Sequence, residues 1–102
     1  MMITEFHLTF SEPLLFTTLV RELSEEVSAE WEDIGPFLHV KEGVIESIKS
    51  DFPNDCRKCF RRMLKIWLKQ IDPPPTWSAI IDAVDVLGYR TLAQNLRDKY
   101  NN

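Results

Sequence analysis

Hydrophobic residues recur along this chain at intervals of three and four, the spacing that puts them on one face of an α-helix. Leu15, Leu19, Leu23 and Val27, with Phe16 and Val20 beside them, form the first stripe, opening near Pro13. A second runs through Trp31, Ile34 and Leu38 after a capping candidate at Ser28. Gly35 and Pro36 lie inside it, and proline in a regular helix interior costs ~3 kcal/mol, so the second helix is expected to be short or kinked. Val44, Ile45 and Ile48 predict a short third helix. Phe52-Pro53-Asn54-Asp55 reads as its exit, with Asn54 or Asp55 capping the helix that follows.

The fourth stripe is the clearest. Cys56, Cys59, Phe60, Met63, Leu64 and Trp67 share its apolar face, and it ends before Asp72 and the stiff loop Pro73-Pro74-Pro75. Trp77, Ile80, Ile81, Val84 and Leu87 make a fifth, with Gly88 where a left-handed residue would stop it. Tyr89, Leu92, Ala93, Leu96 and Tyr100 make the sixth, leaving Asn101 and Asn102 as a tail. No segment alternates as a strand does, none repeats another, and none is of low complexity. Six helices with one apolar stripe each must pack on one another. The 102 residues suffice for one all-α domain over 13–100, with 1–12 as a leader or linker.

Composition agrees with a folded domain: 44% hydrophobic and 27% charged. No apolar run approaches the ~20 residues that span a bilayer, and the N-terminus lacks the basic-then-apolar pattern of a secretory signal. Cys56 and Cys59 stand one helical turn apart, a poor geometry for a stapling disulfide, which points to reduced thiols and a cytoplasmic protein.

The motifs fall in a recognisable order. Trp31 stands in the second helix; Cys59, Leu64, Trp67 and Leu68 in the fourth; Thr76-Trp77, Ile80-Ile81 and Ala83 open the fifth; Gly88, Leu92-Ala93 and Leu96 lead through the sixth. Over about residues 14–100 this pattern resembles the death domain, a helical module of protein-to-protein signalling. The resemblance implies an antiparallel six-helix bundle with Greek-key connections, a topology that helix order alone does not fix. It departs at Phe37-Leu38-His39-Val40, where the family usually has a Leu-Gly-Leu turn. The three tryptophans are expected in the core, as large aromatics at helical spacing usually are.

Charge is segregated. Glu22, Glu25, Glu26, Glu30, Glu32 and Asp33 crowd the end of helix one and the start of helix two, opposed locally only by Arg21; helix four carries Arg57, Lys58, Arg61, Arg62, Lys65 and Lys69 with no acid between them. At about 100° per residue, Lys58, Arg61, Arg62, Lys65 and Lys69 share the face opposite Phe60, Met63 and Trp67. A surface built for solubility alone usually mixes its signs. In death-fold modules a surface on helices one and four commonly meets one on helices two and three of a neighbour. Carried onto this chain, the resemblance implies Arg61, Arg62 and Lys65 against Glu30, Glu32 and Asp33. Two unlike patches that fit each other make a head-to-tail contact. The partners implied are further copies of this chain or other death domains, in apoptotic or innate immune signalling, with the chain serving as an adaptor.

Other chemistries find less support. Nucleic acid is the alternative partner for the basic face of helix four, but no aromatic is interleaved there and the chain is acidic, net charge −4. Cys56-Arg57-Lys58-Cys59 has CxxC spacing, yet zinc needs about four ligands and only His7 and His39 remain as helpers. Both thiols align with the apolar face, which predicts buried core cysteines. Neither histidine stands in a nucleophile-base pattern and there is no Gly-rich phosphate loop. The expectation is a non-enzymatic module with no cofactor, no metal and no small-molecule substrate.

Overall fold

Each of the six stripes folds as an α-helix: α1 Pro13–Val27, α2 Trp31–Phe37, α3 Glu42–Asp51, α4 Cys56–Leu68, α5 Trp77–Val86 and α6 Arg90–Tyr100. The computed structural model describes the backbone of residues 13–100 and the side chains of residues 17–99. The leader at 1–12 with His7, the tail Asn101–Asn102, and the side chains of Leu15, Phe16 and Tyr100 lie outside the described residues. Among those described there is no strand.

Helix starts follow local chemistry where the backbone permits. Asp55 caps α4, its Oδ1 accepting the Lys58 N–H at 3.1 Å, and Thr76 caps α5, its Oγ1 accepting the Ala79 N–H at 3.1 Å. Such caps are worth about 0.5–2 kcal/mol each. The start of α2 differs from expectation. Ser28 does not cap it; a 3₁₀ turn, Ser28–Glu30, carries α1 directly into α2. The residues ahead of that turn and of α2, Val27 and Glu30, have ψ of 4° and 15°, and neither makes a side-chain cap bond. A capping side chain needs extended backbone to swing back onto the helix, and this junction has none.

The ends of α2 and α5 are built alike. At α5 the Tyr89 N–H donates to the Val84 carbonyl and the Gly88 N–H to the Asp85 carbonyl, both at 3.0 Å, with Gly88 at φ 104°. At α2 the Val40 N–H donates to the Gly35 carbonyl and the His39 N–H to the Pro36 carbonyl, again at 3.0 Å, with His39 at φ 64°. Both are Schellman caps, whose turning residue is left-handed and most often glycine. Pro36 sits in the last turn of α2, so the helix is short, and its missing N–H leaves the Glu32 carbonyl without its helical bond. Leu38 and Val40 are buried on either side of the exposed His39. The turn between α2 and α3 therefore keeps an apolar, left-handed, apolar order with histidine at its centre.

The core gathers all three tryptophans. Trp67 and Trp77 are fully buried, Trp31 nearly so, among Phe60, Ile34, Leu64, Ile80 and Leu96. α1 and α3 pack on α4, α2 lies against α4 and α5, and α5 pairs with α6. Gly35 is the close approach between α2 and α3: a Cβ there would stand 2.6 Å from Ile45 Cδ1. Gln70 ties the proline loop back to the end of α2, donating from Nε2 to the carbonyls of Leu38 at 3.1 Å and Pro73 at 2.9 Å.

One core assignment is corrected. Cys59 is buried but Cys56 is exposed. Cys56 is the first residue of α4, and the buried run of that helix begins one turn later at Cys59 and Phe60. Tyr89 likewise precedes α6 instead of belonging to it.

Candidate interaction surface

The basic face of α4 forms as a continuous feature. Helix geometry brings Lys58, Arg61, Arg62 and Lys65 together because they stand three or four apart opposite the buried Phe60, Met63, Leu64 and Trp67. All four are exposed. They are neighbours as Lys58–Arg61, Lys58–Arg62, Arg61–Lys65 and Arg62–Lys65. Like charges at such spacings cost an isolated helix roughly 0.2–0.5 kcal/mol per pair, about 1–2 kcal/mol for the four. With Phe52 they line a hollow of about 160 Å³.

Phe52 corrects the expectation that no aromatic joins this face. It comes from the turn after α3, and the Arg62 guanidinium carbon lies 5.3 Å from its ring centre. Lys69 separates from the group. It follows the last residue of α4 and lines a different hollow with Ile66, Gln70 and Ile71. Arg57 lies off this face, as its spacing implies, and donates to Glu25 of α1 at 3.0 Å.

The acidic cluster is not opposed by Arg21 alone, because cations from distant parts of the chain reach it. Lys99 of α6 meets Glu22 at 2.6 Å, Arg57 of α4 meets Glu25, and Lys49 of α3 meets Glu32 at 2.9 Å. The Lys49 ammonium is held above its usual pKa by that hydrogen bond. Glu30 accepts a 3.3 Å hydrogen bond from the Tyr89 hydroxyl, whose pKa is raised first by burial and then by the Glu30 charge. Of the three acids assigned to the interaction surface, Asp33 alone has neither an ion pair nor a hydrogen-bonded side chain among the described residues. Glu32 and Asp33 stand in the first turn of α2, where they also suit the helix dipole.

No sequence signal marked Lys49, Phe52 or Tyr89 as belonging to these surfaces. Each reaches its place through packing between elements.

The two cysteines stand in different surroundings, Cys59 buried and Cys56 exposed. The Cys59 thiol donates to the Phe52 carbonyl at 3.2 Å, and burial, then the neighbouring Cys56, pushes its pKa up. A raised pKa disfavours the thiolate that redox or metal chemistry needs. Among the described residues no three of His, Cys, Asp and Glu are grouped as metal ligands, and His39 is exposed. Nor is any helix there long and apolar enough to cross a membrane.

Comparison with known proteins agrees with this architecture. The family model of the death domain matches residues 18–100. No curated protein and no solved structure gives a match. The matched span takes in most of α1 and all of α2 to α6, including the buried tryptophans and the α2–α3 turn in which His39 holds the left-handed position. This antiparallel six-helix Greek-key bundle therefore belongs to the death-domain family of protein-interaction modules.

Proposed function

We propose that this domain is a non-enzymatic adaptor module that assembles head-to-tail with copies of itself or with other death domains, in cytoplasmic apoptotic or innate immune signalling. Arg61, Arg62 and Lys65, with Lys58 beside them, form one surface, and Lys69 adds a separate contact beyond the end of α4; Asp33, with Glu30 and Glu32, forms the counterpart on a neighbour. The bundle over 13–100 is the assembling unit and 1–12 its leader or linker.

The observation that carries this reading is that three neighbouring cations on the exposed face of α4 are not neutralised within the domain. Lys58, Arg61 and Arg62 have no acidic side-chain partner among the described residues, on a chain of net charge −4. The fold keeps a costly cluster of like charges where an acidic partner would relieve it. An exposed ion pair is worth only about 0.2–1 kcal/mol and is screened by salt. Assembly then needs several contacts per subunit, or clustering by attached domains.

Light scattering with sizing tests the reading, run against concentration at about 50 and 500 mM salt. Growth beyond a monomer at low salt that recedes at high salt is the expected result. A monomer in every condition sinks self-assembly and leaves pairing with another death domain, read by titrating in a domain with an acidic α2–α3 face. Nucleic acid gains one feature, the aromatic Phe52, but Arg62 lies over that ring, and a net charge of −4 disfavours the extended contact that a long phosphate backbone makes beyond one local patch.

A further inference from the structure

The hollow on α4 has the chemistry of an anion site. Lys58, Arg61, Arg62 and Lys65 converge on it from two helical turns, and Phe52 supplies its apolar wall. Its span along α4, seven residues from Lys58 to Lys65, is about 10 Å. A single phosphate can meet only part of such a cluster, whereas two or three linked phosphates extend across it. Arg62 is partly ordered by its contact with Phe52, which lowers the entropy lost when its donors engage an anion. A cation–π contact does not cancel the charge as a carboxylate would. Asp55, at the start of the helix, is engaged with the Lys58 N–H.

We propose that this hollow binds a compact polyphosphate, such as a linked inorganic phosphate or the headgroup of a phosphoinositide lipid. Arg61 and Arg62 supply the planar, bidentate contacts and Lys58 and Lys65 act as point charges at the two ends. The site shares Arg61, Arg62 and Lys65 with the proposed assembly surface, so a bound anion would compete with assembly, but it does not depend on that reading.

The test uses the full chain at a concentration where it is monomeric, with sodium triphosphate as the probe at constant ionic strength. Calorimetry is expected to give saturable binding with one site per chain, and the melting temperature to rise with ligand concentration. Arg61→Gln with Arg62→Gln should weaken binding about tenfold or more. Arg57→Gln with Arg90→Gln removes the same charge outside the hollow and should leave binding nearly unchanged. Circular dichroism confirms that both variants are folded. Cosedimentation with phosphatidylcholine vesicles carrying a phosphatidylinositol bisphosphate, against phosphatidylserine vesicles of equal charge, separates the sources. Selective retention on the first assigns the phosphates to a lipid headgroup; triphosphate binding without it assigns them to a free ligand. Binding in neither arm overturns the site. So does equal loss in the two double variants, or equal stabilisation by sulfate at the same ionic strength.

Discussion

The acidic and basic clusters look like mirror images in the sequence, and the fold treats them differently. Glu22, Glu25 and Glu32 each meet a cation carried from another helix, and Glu30 holds the Tyr89 hydroxyl. Lys58, Arg61 and Arg62 meet no acid among the described residues. A run of acids in sequence is thus a poor guide to the field it projects, because cations distant in the chain can fold onto it. Lys58, Arg61 and Arg62 on α4 keep their field, and the side-chain contact to Arg62 is a ring. On the proposed assembly, the difference makes the basic face the stronger determinant of partner choice and the acidic face one whose charge is partly spoken for.

The largest expected effect comes from inverting the face that keeps its charge. Arg61→Glu with Arg62→Glu should abolish assembly, since like charges brought together at an interface cost several kcal/mol, while circular dichroism and the melting curve show a folded domain. Normal assembly of this variant in sedimentation velocity removes the basic face from the interface. Next in size is Asp33→Lys, which should weaken association about tenfold, or 1.4 kcal/mol. Glu32→Gln should do less, because Lys49 already shares that charge. Should the two titrate alike, the ion pair seen here has no bearing on the interface.

Lys49→Ala sharpens the comparison in the opposite direction. It releases Glu32 and should strengthen assembly roughly two- to fivefold, the scale of one exposed ion pair. A weaker assembly would mean that Lys49 itself touches the partner. The smallest effect on assembly is expected from His39→Gly, at the end of the same helix α2. A non-glycine residue in the left-handed region costs roughly 1–2 kcal/mol, and glycine returns about 0.5–1 of that in backbone entropy. The net gain of roughly 0–1.5 kcal/mol should raise the melting temperature by about 4–8 °C for each kcal/mol gained, with association unchanged. A lower melting temperature would show that the imidazole contributes more than its backbone costs.

Much of the bundle was legible because its signals are local. Periodicity placed α4 and α5, Asp55 and Gly88 marked where one begins and the other ends, and the tryptophans proved to be core. Where local chemistry competed with a neighbouring element, the expectation failed. Ser28 resembles a cap, but α1 runs into α2 through a 3₁₀ turn and leaves no extended residue for it. Cys56 has the period of the apolar face, but the buried part of α4 begins one turn past it. The candidate surface was half legible. Helical spacing alone gathers Lys58, Arg61, Arg62 and Lys65, while nothing near Glu32 or Arg62 in sequence points to Lys49 or Phe52 as the group it meets.

The sequence by itself determined the class of the molecule: six amphipathic helices, one core built on Trp31, Trp67 and Trp77, and a basic stripe on one helix, because hydrophobic period and charge spacing act within a few turns of chain. Only the tertiary structure decided which charges remain available to a partner. Glu22 and Lys99 are 77 residues apart and Arg57 and Glu25 are 32, and such pairs exist only after the helices have docked. The tertiary structure also decided that His39 takes a conformation usually given to glycine. Leu38 and Val40 are both anchored in the core, and the chain between them must reverse through the left-handed region whatever side chain it carries.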